Sequence, residues 1–266
     1  MRMKSSLLVI ALLPALAVFA QAPTAAQEQQ KKQITDAAEY NAYVAALNET
    51  APAKKAQLLD EFLTKYPKTA VKEDALELQM VALQQAGQSP EPAARQLVQV
   101  NPNNLRALIL LSYVFAQTPL MESDPAFQQK LADAEQMAQR GLQQLASFQP
   151  PNISPADLEK TKQAAEVTFR QTLGVVAMGR KQYEAAQTEF RKAADHAPED
   201  GALFYRIGNA CISERPTPKY SQAFWAFARA ATLEGPTALP PAGRQQVADY
   251  LKKIYVTYHG SDEGLD

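Results

Sequence analysis

The chain has 266 residues, 46% of them hydrophobic, which is enough to bury a sizeable core. Its 27 Lys and Arg residues nearly balance its 28 Asp and Glu residues, for a formal net charge of −1 at pH 7. This balance gives no support for nucleic-acid binding, and a single cysteine excludes an intramolecular disulfide. The lack of any long alternation of Val, Ile and Thr favours helix over sheet.

Residues 1–22 have the composition of a secretory signal peptide. Arg2 and Lys4 lie at the start, and the apolar run that follows is shorter than the ~20 residues of a membrane-spanning helix. We therefore predict cleavage after Ala20 or Ala22 and no stable membrane insertion afterwards. An uncleaved anchor is the alternative. The form of this segment and the absence of disulfides favour a bacterial protein that is periplasmic or secreted.

A flexible leader is predicted for residues 23–35, because no apolar side chain larger than Ala occurs before Ile34. Helices in pairs are expected from residue 36 onwards. In the first helix Tyr40, Tyr43, Val44 and Leu47 form an apolar stripe. The helical segments predicted before residue 150 are a pair over 36–66, a pair over 70–100 broken at 87–90, and single helices over 105–117 and about 125–148.

The next helix has a clear start signal. Ser154 is a good N-cap, Pro155 suits the first helical position, and Asp157 is the acidic residue three positions on. The helix is predicted to extend to about Arg180, which makes it longer than the helices predicted before it.

The clearest pattern lies between Val167 and Pro198. Gly174 is a small residue within the first helix, where a second helix can approach closely. The second helix carries apolar residues with gaps of three, four and three, which places them on one helical face. These residues are Tyr183, Ala186, Phe190 and Ala193.

A second copy of this pattern begins at Gly201. Its first helix carries Phe204, Ile207, Gly208 and Cys211. Its second helix repeats the three-four-three spacing after an insertion of three residues in the turn at 214–218. The residues of that spacing are Tyr220, Ala223, Phe227 and Ala230.

The chain ends with one further helix and a polar tail. Pro240 and Pro241 open the helix, apolar residues recur along it at helical spacing, and Gly260 ends it. We predict a capping helix over about 241–258 and a loose tail over 260–266.

The two copies resemble the tetratricopeptide repeat, a unit of about 34 residues with Leu-Gly, aromatic, Ala, Phe, Ala and Pro positions at fixed offsets. The resemblance implies an all-α fold, a right-handed α-solenoid of antiparallel helix pairs with a C-terminal capping helix. It places the repeat domain at 36–259, with the clearest repeats at 167–200 and 201–235.

The same resemblance implies that a protein or peptide partner binds in a groove lined by the first helix of each pair. Arg206 and Asn209 suit a peptide carboxylate or backbone. The carboxylate-clamp subgroup of the family is not expected, because Thr168, Gln171 and Val175 do not supply its Lys and Asn residues. The groove positions implied by the resemblance are Arg106, Ile109, Tyr113, Thr168, Gln171, Val175, Met178, Tyr205, Arg206, Asn209 and Ile212.

No motif in the sequence indicates catalysis, a cofactor or a metal. Neither His196 nor His259 has a ligand spacing, and each is expected at a helix end, where a cation meets the helix dipole favourably. Cys211 takes the place of the family's aromatic residue and is expected to be a small buried hydrophobe. No phosphate-binding loop or nucleophile elbow occurs.

These observations predict a non-enzymatic exported scaffold that binds a protein or peptide in the bacterial cell envelope. Two alternatives stay open at this stage. One is a structural subunit that self-associates through its helical ends, with Tyr255 and Tyr258 on an apolar C-terminal face. The other is an envelope enzyme whose site lies within 70–160.

Overall fold

The computed structural model describes residues 34–119 and 121–265. The predicted signal peptide and all but the end of the predicted leader lie outside these residues. The described residues form α-helices and no β-strand, so the all-α prediction is confirmed. The helices are α1 (Ala37–Asn48), α2 (Pro52–Lys65), α3 (Lys72–Gln85), α4 (Glu91–Val100), α5 (Leu105–Gln117), α6 (Phe127–Ser147), α7 (Pro155–Gly179), α8 (Tyr183–His196), α9 (Gly201–Ser213), α10 (Tyr220–Thr232) and α11 (Pro241–His259).

Polar side chains cap several helix starts. The Ser154 hydroxyl accepts a hydrogen bond from the Asp157 amide at 3.1 Å, as the sequence predicted for the start of α7. The Asp200 carboxylate accepts from the Leu203 amide at 3.0 Å at the start of α9. These caps satisfy amides that the helices leave without partners in their first turns.

Each helix packs against the next helix along the chain, and α5 also packs against α7. A chain whose helices contact mainly their sequence neighbours is extended in one direction, which is the arrangement of an α-solenoid. The predicted capping segment is the helix α11, and Gly260, with φ 85°, ends it in the left-handed conformation.

A glycine on one helix faces a phenylalanine on the next in both clear repeats. Gly174 of α7 lies against Phe190 of α8, and Gly208 of α9 lies against Phe227 of α10. A Cβ built on Gly208 would come within 2.6 Å of the Phe227 ring, so only glycine allows this approach. Both phenylalanines are fully buried, as the repeat pattern required.

The buried apolar residues of the described chain group into five clusters. The largest extends from Val167 to Leu251 and joins α7 to α11. The smaller clusters are connected through shared side chains, since Leu63 contacts two of them and Met137 contacts three. The smaller clusters therefore overlap one another along α1–α7, beside the large cluster of α7–α11.

Candidate functional site

A pocket of about 300 Å³ opens where α7 and α9 meet the end of α5. Two phenylalanines from neighbouring helices, Phe127 of α6 and Phe190 of α8, are buried residues of its wall. Polar and charged groups from the segment after α5 and from α9 complete it. The lining residues are Thr118, Glu122, Phe127, Val175, Met178, Gly179, Phe190, Arg206 and Asn209.

Two pairs of residues three positions apart supply the helical part of this lining. Val175 and Met178 lie on one face of α7, and Arg206 and Asn209 lie on one face of α9. All four belong to the groove positions that the sequence implied. The structure thus brings predicted residues from two successive first helices to one cavity.

Arg206 connects α9 to the end of α5. Its Nη2 donates a 2.7 Å hydrogen bond to the carbonyl oxygen of Ala116, 90 residues earlier in the chain. Its Nη1 is buried and has no hydrogen-bond partner among the described residues. Burial lowers the pKa of the guanidinium, and the nearby Asp200 carboxylate opposes that effect.

The unpartnered Nη1 leaves Arg206 with a buried donor that no described residue satisfies. A buried donor without a partner costs roughly 1–3 kcal/mol, and more when the group is charged. Arg206 as a residue is only partly buried and lines the pocket, so a charged side chain that connects α9 to α5 is also part of the cavity wall.

The rim of the pocket carries an exposed ion pair. Glu122 and Lys181 approach to 3.3 Å, and both side chains are about two-thirds exposed. Such a pair contributes little to stability, because water screens it. Glu122 nevertheless contributes a carboxylate to the same lining as the Arg206 cation.

The remaining predicted groove residues of α7 and α9 lie outside the pocket. Thr168 and Gln171 are buried: the Thr168 hydroxyl donates to the Ala164 carbonyl, and the Gln171 amide donates to Asp200 at 3.1 Å. Tyr205 is exposed, and Ile212 packs against the largest core cluster.

The predicted residues of α5 are also apart from the pocket. Ile109 packs against a core cluster formed with α6 and α7, and Tyr113 is partly buried. Arg106 lies near Glu77, and burial lowers the pKa of its guanidinium while that carboxylate opposes the shift. The eleven predicted positions thus do not form one continuous site.

Sequence reasoning missed part of the lining. Thr118 and Glu122 belong to the segment between α5 and α6, and Phe127 is the first residue of α6; no repeat motif covers these positions. No sequence signal pointed to them, since the nine-residue connection after α5 is close to the ordinary length between helices. Phe190 is buried in the core and also lines the cavity.

Other chemistry-bearing residues have structural surroundings. Cys211 is buried, which raises the pKa of its thiol, and its Sγ lies 3.9 Å from the Arg191 guanidinium. Among the described residues no cluster of three or more His, Cys, Asp and Glu side chains is placed to hold a metal ion. Within the same residues no helix has the length and apolar composition to cross a membrane.

The candidate C-terminal face carries a group of stacked rings. Tyr258 of α11 is 55% exposed and lies 4.4 Å from Tyr220 of α10, measured between ring centroids. Tyr255 is partly buried, and its hydroxyl donates to the Glu263 carbonyl at 3.1 Å. These rings largely contact one another.

The chain matches no protein-family model and no curated protein. The pocket and the repeat pattern of the sequence are the features of this chain that bear on function. Four groove positions implied by the repeat pattern line this pocket: Val175, Met178, Arg206 and Asn209.

Proposed function

We propose that this protein is a non-enzymatic exported scaffold of the tetratricopeptide-repeat type that binds a peptide segment of another protein in the bacterial cell envelope. The right-handed pairing of its helices belongs to the same proposal. The observation that carries it is the pocket in which Arg206 and Asn209 lie beside Val175 and Met178. Fold alone does not determine function, whereas the residues of this pocket define what it can bind.

The pocket offers two kinds of contact side by side. An extended peptide presents main-chain carbonyls and, on alternate residues, side chains. The Arg206 guanidinium and the Asn209 amide can donate hydrogen bonds to a carbonyl or carboxylate oxygen. Val175 and Met178, with the buried phenylalanines behind them, provide an apolar surface for a neighbouring side chain.

The dimensions suit a peptide anchor. A volume of about 300 Å³ is at the small end of ligand pockets, and it accommodates one large apolar side chain with part of its main chain. An exposed Tyr205 on the same helix, one residue from Arg206, extends the surface beyond the cavity.

A substitution within the pocket tests the proposal. Met178→Glu places a carboxylate in the apolar part, where it repels acidic ligand groups and competes for Arg206. We expect partner capture from an envelope extract to fall, and the affinity for the identified peptide to weaken at least tenfold by isothermal titration calorimetry. The matched control is Lys160→Gln, an exposed residue of the same helix with the same change of −1 in charge.

Comparison of Met178→Glu with Lys160→Gln distinguishes binding at the pocket from binding elsewhere on the protein. A partner bound by wild type and by Lys160→Gln, but lost by a folded Met178→Glu, supports binding at the pocket. Equal capture by all three proteins would contradict it. Circular dichroism of each variant establishes that the helical content is unchanged.

A further inference from the structure

The four methionines of the described residues have different surroundings. Met80 is 2% exposed in the core, and Met137 packs against three core clusters. Met121 lies in the segment after α5 and is 65% exposed. Met178, in the last turn of α7, is partly buried and lines the Arg206 pocket. Its side chain therefore forms part of a cavity wall, between the closed core and open solvent.

The cavity beside Met178 admits small solutes. Its volume of about 300 Å³ is many times the ~30 Å³ that one water molecule occupies in the liquid. Its lining includes polar groups such as the Glu122 carboxylate and the Asn209 amide, so water can enter it. A solute only slightly larger than water, such as hydrogen peroxide, can therefore reach the wall that Met178 helps to form.

A methionine thioether reacts with peroxides at its sulfur to give a sulfoxide. A lone pair of the sulfur attacks one peroxide oxygen, the O–O bond breaks, and an S=O bond forms. The other peroxide oxygen takes up the proton of the transferred oxygen and leaves as water, or as an alcohol from an organic hydroperoxide. The sulfur loses two electrons and the peroxide gains them, so no further reactant is required. Methionine sulfoxide reductases reverse the modification.

Oxidation of Met178 would change the chemistry of the pocket wall. In its reduced form the side chain provides, with Val175, the apolar surface proposed for a peptide side chain. The sulfoxide is polar, so that part of the surface would no longer favour an apolar group. Its oxygen is also an acceptor, and the Asn209 amide is a donor of the same lining. An oxidised Met178 therefore removes apolar surface and competes with a ligand for that donor.

The fold depends less on this sulfur than on those of the core. Met178 packs against the largest cluster only as a partly buried neighbour, with the cavity beside it. A sulfoxide at Met80 or Met137 would place a polar oxygen among apolar side chains, which is costly without a hydrogen-bond partner. Oxidation of Met178 should therefore alter the pocket while the helices stay packed.

We propose that Met178 is a site of reversible oxidation by peroxides, and that its oxidation weakens peptide binding at the Arg206 pocket. This inference rests on the proposed function, because it concerns the regulation of the same site. The proposed location of the protein lies outside the reducing cytosol. Met121 is more exposed but does not line the pocket, so its oxidation should leave binding unchanged.

The first measurement follows oxidation at each sulfur and needs no ligand. The full chain is treated with hydrogen peroxide, and samples quenched at intervals are digested and mapped by mass spectrometry. We expect sulfoxide to form fastest at Met121, next at Met178, and most slowly at Met137 and Met80, because the rate follows access to the sulfur. A rate at Met178 no higher than at Met137 would overturn the proposal.

The second measurement probes the pocket with 8-anilinonaphthalene-1-sulfonate, a dye that binds exposed apolar surface. The part of its fluorescence that Met178→Glu removes is assigned to the pocket. Met178→Gln gives a polar side chain of similar length, which imitates the sulfoxide, and we expect it to lower that part roughly fivefold without any peroxide. The matched control Met121→Gln makes the same change outside the lining and should fluoresce like wild type.

Peroxide is then applied at a dose that oxidises Met178 but not Met137 or Met80. We expect the fluorescence of wild type and of Met121→Gln to fall to the level of Met178→Gln, and methionine sulfoxide reductase to restore it. Met178→Leu has no sulfur at this position, so its fluorescence should not respond to peroxide, whatever its starting level. Circular dichroism should show the same helical content before and after treatment.

Three results of the dye experiment would overturn the proposal. They are unchanged fluorescence of wild type once Met178 is oxidised, an equal response of Met178→Leu to peroxide, and a loss of helix on oxidation. Equal dye binding by reduced wild type and by Met178→Glu would instead contradict the proposed function, and with it the regulation of the pocket. The order of oxidation rates would still test Met178 as a modification site, so the two failures are distinguishable.

Discussion

Individual glycines determine how closely the paired helices approach. At Gly174 and Gly208 the helix backbone touches a buried phenylalanine ring of the following helix, and no side chain fits between them. The chain separation of the two contacting residues is longer by three in the second repeat, which is the length of the insertion in its turn. The contact is thus preserved although the connection differs.

Gly208→Ala is predicted to destabilise the protein. The new Cβ would lie 2.6 Å from the Phe227 ring, and overpacking of this kind costs about 1–3 kcal/mol, although Ala is the better helix former by up to ~1 kcal/mol. We expect a net loss of roughly 1–2 kcal/mol in the free energy of unfolding, measured by urea denaturation with circular dichroism.

Gly243→Ala is the matched control for this prediction. It lies in the first turn of α11, where the nearest atoms to a new Cβ are at 3.6 Å, an ordinary contact distance. Here the better helix propensity of Ala should stabilise the protein by about 0.5 kcal/mol. A Gly208→Ala variant as stable as this control would show that the Phe227 ring can move aside.

Arg206 shows that the sequence predicted the position of a residue on its helix but not its contact with a distant helix. Its position on α9, and that of Asn209, followed from the resemblance of a single repeat. Its bond to the Ala116 carbonyl did not, because that contact depends on how α5, α7 and α9 stack. Periodicity within a helix specifies which face a residue occupies, but not which distant carbonyl that face meets.

At the scale of helices, local signals predicted the ends of elements well. The helix over 105–117 occurs as α5 with the same bounds, because Asn104 caps it and the turn before it interrupts the helix α4. The predicted long helix from Ser154 occurs as α7 and ends at Gly179. Contacts between elements were less predictable, as the three hydroxyls of α7 show.

Three buried threonines on α7 satisfy their hydroxyls with carbonyls one turn earlier. Thr161 donates to Asp157, Thr168 donates to Ala164, and Thr172 lies 3.0 Å from the carbonyl of Thr168. Thr172 also lies 2.9 Å from the Ser112 carbonyl of α5. The first pattern is local and follows from threonine chemistry, whereas the link to α5 requires the packed structure.

Asn104 caps α5 and also hydrogen-bonds to α3. Its substitution therefore tests how much a cap and a contact between helices contribute to stability. Its side-chain oxygen accepts from the Ala107 amide at 3.1 Å, and its amide donates to Glu77 at 2.7 Å. Asn104→Ala removes both bonds of a buried residue, and we expect a loss of about 2 kcal/mol in the free energy of unfolding.

Asn104→Ser separates the two contributions. Serine retains a cap acceptor but cannot reach Glu77, so its stability should lie midway, roughly 1 kcal/mol below wild type. Thermal denaturation followed by circular dichroism measures both variants. If serine were as destabilising as alanine, the cap would contribute nothing and the link to α3 would account for the whole effect.

Across the whole molecule, stability should depend on neighbouring helices. The largest cluster lies in α7–α11, and the smaller clusters of α1–α7 are joined to one another through shared residues such as Leu63 and Met137. In a solenoid each unit is stabilised by its own contacts and by its immediate neighbours. A destabilising substitution at one end should therefore lower the local stability mainly of the helices at that end.

Hydrogen exchange of two core variants distinguishes local from global unfolding. Phe227→Ala truncates a fully buried side chain of the largest cluster, which typically costs about 3–5 kcal/mol. We expect amide protection measured by mass spectrometry to fall in α9–α11 and to stay unchanged in α2–α4, because exchange follows the local free energy of opening. Met137→Ala, at the junction of three clusters, should reduce protection on both sides of α6. Uniform loss of protection from α1 to α11 in Phe227→Ala would instead mean that the chain opens as one cooperative unit.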